Sequence, residues 1–374
     1  MNQGSKGPIE KGMTKMKRKW LALPLVAMFF VGCDSAQKPT PKPGDTKGEA
    51  TPVFTLAWSE YPSWSVFGVA SDVGLIDGDE GKQGELEKKW KVDVVLKGVD
   101  YDTCIQLYGS NEADAVCITN MDILGPAKDR SSVAILPTST SLGADACITV
   151  GIDSIEALKG KTTKGLERSV SQYAFERILT KRGLDPKDYP FANMDPGAAA
   201  TAMQSGDKEV TSIMVWNPFV LQTLRDVAGS KKLLDSSEIP EEIIDMVVVA
   251  KDSLGKKGGD AFARCVVETF YAVNARMEKP ETADSTLVAI GAKFSNLKLE
   301  DMKEVVQQTR FYKTPKDALA LIQGEEFRNK TMPAVATFCV EHGIVTGKPT
   351  VGFDAADSQL NFDSSFLKAH ADGK

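Results

Sequence analysis

The chain has almost no histidine: His342 and His370 are the two in 374 residues, both in the C-terminal part. General acid–base transfer and zinc chemistry most often rest on that residue. No Ser-His-Asp set or metal-spaced His cluster can be assembled around either one. Cysteine offers no substitute. Cys33, Cys104, Cys117, Cys147, Cys265 and Cys339 contain no C-x-x-C pair, which removes thioredoxin-like and zinc-ribbon patterns. A glycine-rich phosphate loop is also missing. The net charge is −6 without a basic stripe, so nucleic acid is not an expected partner. No cofactor or metal is implied, and an enzyme is not expected.

What is present begins with a leader. Lys15, Lys17, Arg18 and Lys19 form a basic segment, followed at 20–31 by an apolar one too short to span a bilayer as a stable helix. It runs into Phe30-Val31-Gly32-Cys33, which resembles the lipobox of bacterial lipoproteins. That resemblance implies cleavage before Cys33 and acylation there, so 1–33 is expected to be a signal peptide with a lipidation site. Residues 34–52, rich in Pro, Lys, Gly and Ser, cannot bury a core and read as a flexible tether. No later run is long and apolar enough to cross a membrane. The remaining cysteines are odd in number and read as small buried residues, with one disulfide left open.

Past the tether, apolar runs alternate with helical periodicity. Strands are expected at 53–57, 90–96, 113–118, 133–136 (ended by Pro137) and 146–150, then at 162–166, 189–194, 210–215, 231–234 and 243–250. Helices between them carry N-caps such as Asp100 and Asp195. Helical segments at 259–277, 281–293, 299–308, 315–323 and 326–342 make up the remainder. Two strand–helix series followed by helices predict an α/β chain of two lobes with parallel pairing and a helical C-terminal part. The lobes are expected at 53–145 with 246–374, and at 146–245, hinged near 143–147 and 245–248. A cleft between lobes is a favoured place for a small ligand.

The stretch Trp58-Ser59-Glu60-Tyr61-Pro62-Ser63-Trp64 stands where a strand gives way to a helix, the position at which open α/β sheets bind ligands. Other strand ends carry Thr119-Asn120-Met121-Asp122, Gly165-Leu166-Glu167, Trp216-Asn217-Pro218 and Ile244-Asp245-Met246. These motifs, the order of elements and Leu158-Lys159-Gly160-Lys161 resemble the solute-binding proteins of ABC importers of the nitrate, taurine and sulfonate type. That superfamily includes thiamine-pyrimidine-precursor proteins, and the similarity is greatest to its branch found beside urea carboxylase-like enzymes. The resemblance runs over about 54–342. It implies a two-lobed periplasmic binding protein fold, type II-like, with the ligand between the lobes. It also implies a monomer on the outer side of a bacterial membrane, held by lipid, with a permease and an ATPase as partners.

Placed on one cleft, Glu60, Asp122, Glu167 and Asp245 converge with Trp58, Tyr61, Trp64 and Trp216, while Asn120 and Asn217 add donors and acceptors. No Arg or Lys holds a matched position, although Arg168 adjoins Glu167. An anion site needs such a base or a bare helix N-terminus. Acids and aromatic faces suit a small cation or an N–H-rich neutral molecule, with guanidinium and urea-like compounds as first candidates. Plainer readings exist: Asp122 as a helix cap, Glu167 paired with Arg168 or Lys164, and the tryptophans as core. Asp245 lies within an apolar run, where an unpaired acid is expensive. A sensor module of the same fold, a receptor for a sulfonate or a pyrimidine precursor, and an enzyme that kept the fold stay open at this point.

Overall fold

The computed structural model describes residues 50–373; the expected leader, Cys33 and most of the tether lie outside them. In chain order the strands are β1 Val53–Trp58, β2 Asp93–Gly98, β3 Ala115–Thr119, β4 Ser132–Ser141, β5 Asp145–Val150, β6 Thr163–Gly165, β7 Phe191–Asn193, β8 Ser212–Trp216, β9 Ser230–Asp235, β10 Ile244–Ala250, β11 Thr309–Phe311, β12 Val351–Phe353 and β13 Leu360–Phe362. One sheet has the order β12-β13-β4-β10-β3-β1-β2, with β11 paired on β4; the other has the order β7-β6-β8-β5-β9. The chain crosses from the first sheet to the second at 142–144. It returns at 236–243 and lays β10 between β3 and β4.

Burial follows from these positions. Every residue of β3 and β10 is buried, as expected of central strands covered on both faces. The second sheet alternates instead, with the side-chain period of two that a pleated strand imposes. Cys147, Met214 and Leu234 face the helix Val170–Lys181, and Ala146, Ile148, Ile213 and Val215 face the helices Pro196–Gln204 and Phe219–Asp226. Each fully buried large aliphatic or aromatic side chain contributes about 1.5–3 kcal/mol. The polar Thr163 is accommodated within this sheet by a 2.8 Å hydrogen bond to Ser212. The described cysteines are all buried and unpaired, in keeping with their reading as small core residues.

The structure departs from the sequence expectations at several points. Trp90 ends the helix Glu85–Trp90 instead of opening a strand; Lys91 turns into the left-handed region at φ 56°, and β2 starts at Asp93. Pro137 does not end β4. The register against β10 shifts there, with Asp245 opposite Ser139 and Met246 opposite Pro137, and such a bulge tolerates a residue without an N–H. The C-terminal part is helical but also supplies β11, β12 and β13, each three residues long and so too short for periodicity to reveal. Residues 245–248 lie inside β10, paired on both sides, so the return crossover precedes the hinge expected there. Among the described residues no helix is long and apolar enough to cross a membrane.

Candidate functional site

Strand direction decides what meets in the cleft. β1 runs parallel to both β2 and β3, so the residues following each strand emerge at one edge. β10 runs antiparallel to β3, with Asp245 opposite Thr119, which brings its first residues to that same edge. In the second sheet β6 and β8 are parallel, and β5 is antiparallel to β8 with Asp145 opposite Trp216. Crevices beyond the carboxyl ends of strands are where open α/β sheets bind ligands. Here they enclose a cavity of about 210 Å³. One wall is formed by Ser59, Glu60, Tyr61, Trp64, Asp100, Tyr101, Asp102, Thr119, Ile243 and Asp245, and the other by Asp145, Leu166, Val170, Asp195, Pro196, Trp216, Pro218 and Phe219.

The aromatic part of the wall is a connected set. Trp64 stacks on Tyr101 with centroids 5.5 Å apart and planes 18° apart. Trp216 meets Tyr101 edge-on at 6.4 Å, and Tyr61 tilts against Trp64 at 5.0 Å. Trp64 is 3% exposed, and its Nε1–H finds no acceptor in the protein. Buried indole N–H groups ordinarily have a partner, and this one has none within the protein.

The charged part of the wall is one-sided. Glu60, Asp100, Asp102, Asp145, Asp195 and Asp245 line the cavity, and no Lys, Arg or His does so among the described residues. Burial pushes the Asp245 carboxyl well above the usual range, against the bond it accepts from Ser139 Oγ at 2.5 Å, and the neighbouring Asp145 pushes it further. Burial also raises Asp145 to about 6, opposed by its bond from Ser141. Asp100 goes the other way: its bonds from the Thr103 hydroxyl and N–H hold it below the ordinary value. A cation entering this space would favour the ionised form of every acid around it.

The predicted residues divide into three groups. Glu60, Tyr61, Trp64, Trp216 and Asp245 line the cavity. The Glu60 carboxylate is exposed and accepts bonds from Ser295 N and Oγ at 3.2 and 3.1 Å. Asp122 stands one layer back, where its Oδ2 accepts from Tyr101 Oη at 2.7 Å and Thr119 Oγ1 at 2.9 Å. Burial raises it to about 6 against those two bonds. It therefore braces Tyr101 rather than facing a guest.

Trp58, Asn120, Glu167 and Asn217 do not line the cavity. The Trp58 ring lies against Gly68 and Gly98, where a Cβ would come within 2.9 and 3.2 Å of it. Asn120 clamps the return crossover, donating to Glu242 O at 3.1 Å and accepting from Ile244 N at 3.0 Å. Glu167 is exposed, with its backbone N–H on Asn193, and Ser169 caps the following helix. Asn217 is buried and donates to Gln308 at 2.6 Å.

Sequence reasoning missed Tyr101 and Asp145 as site residues and treated Asp100 and Asp195 as caps alone. Both caps do bond their own helix starts, at Thr103 N and Ala198 N, while also lining the cavity. Asp145 carried a readable signal: like Asp245, it is an acid at the head of an apolar strand.

Comparison with known proteins fits this architecture. A family model described as NMT1/THI5 like matches residues 95–283, just over half of the chain. No curated protein matches the chain. The alkanesulfonate-binding protein SsuA from Xanthomonas axonopodis pv. citri, solved with MOPS bound, is 13% identical with a TM-score of 0.61, covering 80% of this chain and 96% of that one. The periplasmic aliphatic sulphonate-binding protein SsuA of Escherichia coli is 17% identical with a TM-score of 0.60, covering 80% and 95%. A Candida albicans gene product described as exhibiting the generic periplasmic binding protein fold is 15% identical with a TM-score of 0.57, covering 79% and 92%. At such identities the likeness establishes the fold and leaves the ligand to be argued from the cleft.

Proposed function

The chain belongs to the NMT1/THI5-like family and has the periplasmic binding protein fold, and from that premise we propose that it is the solute receptor of an ABC importer, binding a small cation or N–H-rich nitrogen compound between its sheets. Guanidinium and urea-like molecules are the first candidates, as for a member of the branch found beside urea carboxylase-like enzymes. The observation that carries this reading is the cavity wall, in which six carboxylic acids and five aromatic rings occur with no base among the described residues. A sulfonate or nitrate entering it would meet acids on every side. The helix starts at Asp100 and Asp195, which could otherwise attract an anion, are occupied by their own cap carboxylates. The protein is proposed to act without catalysis, outside the cytoplasm, as a monomer anchored through a lipid on Cys33 and delivering its solute to a permease and ATPase.

A thermal-shift and calorimetry series with guanidinium, urea, taurine and nitrate tests the reading. A ligand that binds the native state alone stabilises it by about 2.7 kcal/mol at a hundred times its Kd. Guanidinium at millimolar concentration, or urea, should raise the melting temperature while taurine and nitrate leave it unchanged. Stabilisation by taurine or nitrate alone would replace this reading with that of an anion receptor, as the sulfonate-binding proteins of the same fold would suggest.

A further inference from the structure

The two crossovers between the sheets meet in a buried knot of hydroxyls. Ser236 follows β9 and opens the return crossover. Its Oγ lies 2.6 Å from Oγ of Ser141, the last residue of β4, and accepts from the N–H groups of Gly143 at 2.8 Å and Asp145 at 3.4 Å. Ser141 Oγ in turn lies 2.5 Å from Asp145 Oδ2. Both serines are fully buried and Asp145 is 4% exposed. Gly143 takes φ of 103° at the turn of the outward crossover, a conformation open to glycine and costly for other residues.

Proton counting gives the knot a direction. A serine hydroxyl has one hydrogen to donate and two lone pairs to accept with. The Ser141 hydrogen goes to the Asp145 carboxylate, so the hydrogen between the two serines comes from Ser236. Ser236 therefore accepts from the outward crossover, belongs to the return crossover, and donates along a chain ending on an acid of the cavity wall. Hydrogen bonds in such a chain polarise and strengthen one another.

We propose that Ser236 is a positioning residue that locks both crossovers to Asp145, making restraint of the hinge and presentation of that cleft carboxylate one hydrogen-bonded unit. Residues at element ends that absorb backbone rotation are the ordinary sites of hinge motion, and this lock limits that rotation whichever solute occupies the cleft.

Pulsed electron-spin distance measurement on the mature chain tests it. Labels are attached at Val288→Cys and Gln204→Cys, exposed positions on the helices Ala283–Lys293 and Pro196–Gln204, with Cys33 replaced by Ser and the native cysteines among the described residues buried. The ligand-free parent should give a narrow distribution. Ser236→Ala and Asp145→Ala should each broaden it, and the double variant should be no broader than the wider single one, the non-additivity expected of partners in one network. Asp145→Asn, which keeps an acceptor for Ser141, should restore the narrow distribution, whereas Asp145→Leu, of similar size but without an acceptor, should leave it broad. If Ser236→Ala does not fold, Ser141→Ala reads the same link. An unchanged width in the serine variant, or additive broadening in the double variant, overturns the lock. Guanidinium added to the parent is a separate arm: failure to shift its distribution counts against the proposed ligand, while the ligand-free widths still decide the lock.

Discussion

Acidification should weaken guanidinium binding, and the cavity wall sets by how much. Guanidinium keeps its charge throughout the accessible range, so any pH dependence belongs to the protein. Asp145 is raised to about 6 and Asp245 is pushed well above its ordinary value, both by burial, and both line the cavity. A carboxyl that must be ionised to hold a cation gives full affinity above its free-state pKa. Below that value affinity falls roughly tenfold per pH unit for each such group. Between about pH 8 and about pH 5, Asp145 alone implies a loss of roughly tenfold. Asp245, raised in the same direction by burial, adds to that loss. Calorimetry at a series of pH values, in pairs of buffers with different ionisation enthalpies, reads the affinity and the protons released together. The affinity should fall toward acid, with protons released on binding around pH 6. A flat profile would mean that neither acid touches the ligand. An affinity that rises toward acid would mean an anionic ligand, and the assignment of the cleft would be wrong.

Three further outcomes follow from single positions. The Asp145 carboxyl is raised above its unfolded value, so the stability it contributes is full below about pH 4 and lost as pH rises through about 6, roughly 2–3 kcal/mol in all; Asp145→Asn should therefore melt higher than the parent near pH 8, with the gap closing by about pH 4, while guanidinium affinity drops. At Gly165 a Cβ would sit 2.6 Å from Phe191 Cζ and 2.7 Å from Met214 O, so Gly165→Ala should cost about 1–3 kcal/mol in urea unfolding, and an unchanged midpoint would show that β6 can move aside. Cys33→Ser should shift the protein from the membrane to the soluble fraction or leave it unprocessed, and unaltered fractionation and mobility would remove the lipid anchor from the proposal.

The two-sheet α/β architecture was legible because its central strands are continuous apolar runs and its helices carry caps. Asp100 and Asp195 marked their helices correctly from sequence alone. The short strands β11, β12 and β13 were not legible, since three residues carry no period and owe their place to pairing partners far away in the chain. At the candidate site, Glu60 and Trp64 follow β1, Trp216 ends β8 and Asp245 stands near the start of β10, and these positions at strand ends are what placed them at the cavity lining. Trp58 was misplaced because side chains alternate across a strand, and a one-residue difference sends a ring to the opposite face. Asn120 and Asn217 were misplaced for another reason: a buried amide takes whichever backbone groups the crossovers leave unpaired, and nothing local in the sequence shows which these are. Tyr101 gained its position from Trp64 and Asp122, neither of them its neighbour in sequence.

How the acids are supported separates those of the cleft from those of the scaffold. Away from the cavity, Glu242, Glu87 and the half-buried Asp114 are neutralised or saturated. Glu242 is paired with Arg177 at 2.7 Å and accepts from Tyr173, and Asp114 is paired with Lys256 at 2.6 Å. Glu87 accepts the N–H groups of Asp77, Gly84 and Val94, each at 2.6 Å. In and behind the cavity wall the supports are hydroxyls: Ser139 on Asp245, Ser141 on Asp145, and Tyr101 with Thr119 on Asp122. A hydroxyl orients a carboxylate and eases its ionisation without cancelling its charge, whereas a guanidinium or ammonium partner would do both. Burying a charge without a counter-ion is among the costlier things a fold can do. Glu242 and Asp114 offset that cost with a base and Glu87 with three N–H groups, whereas in the cleft it shows as carboxyls raised above their ordinary range. An arrangement that fixes the direction of its acids and supplies no counter-ion of its own is suited to a guest that brings the opposite charge and draws their protons off.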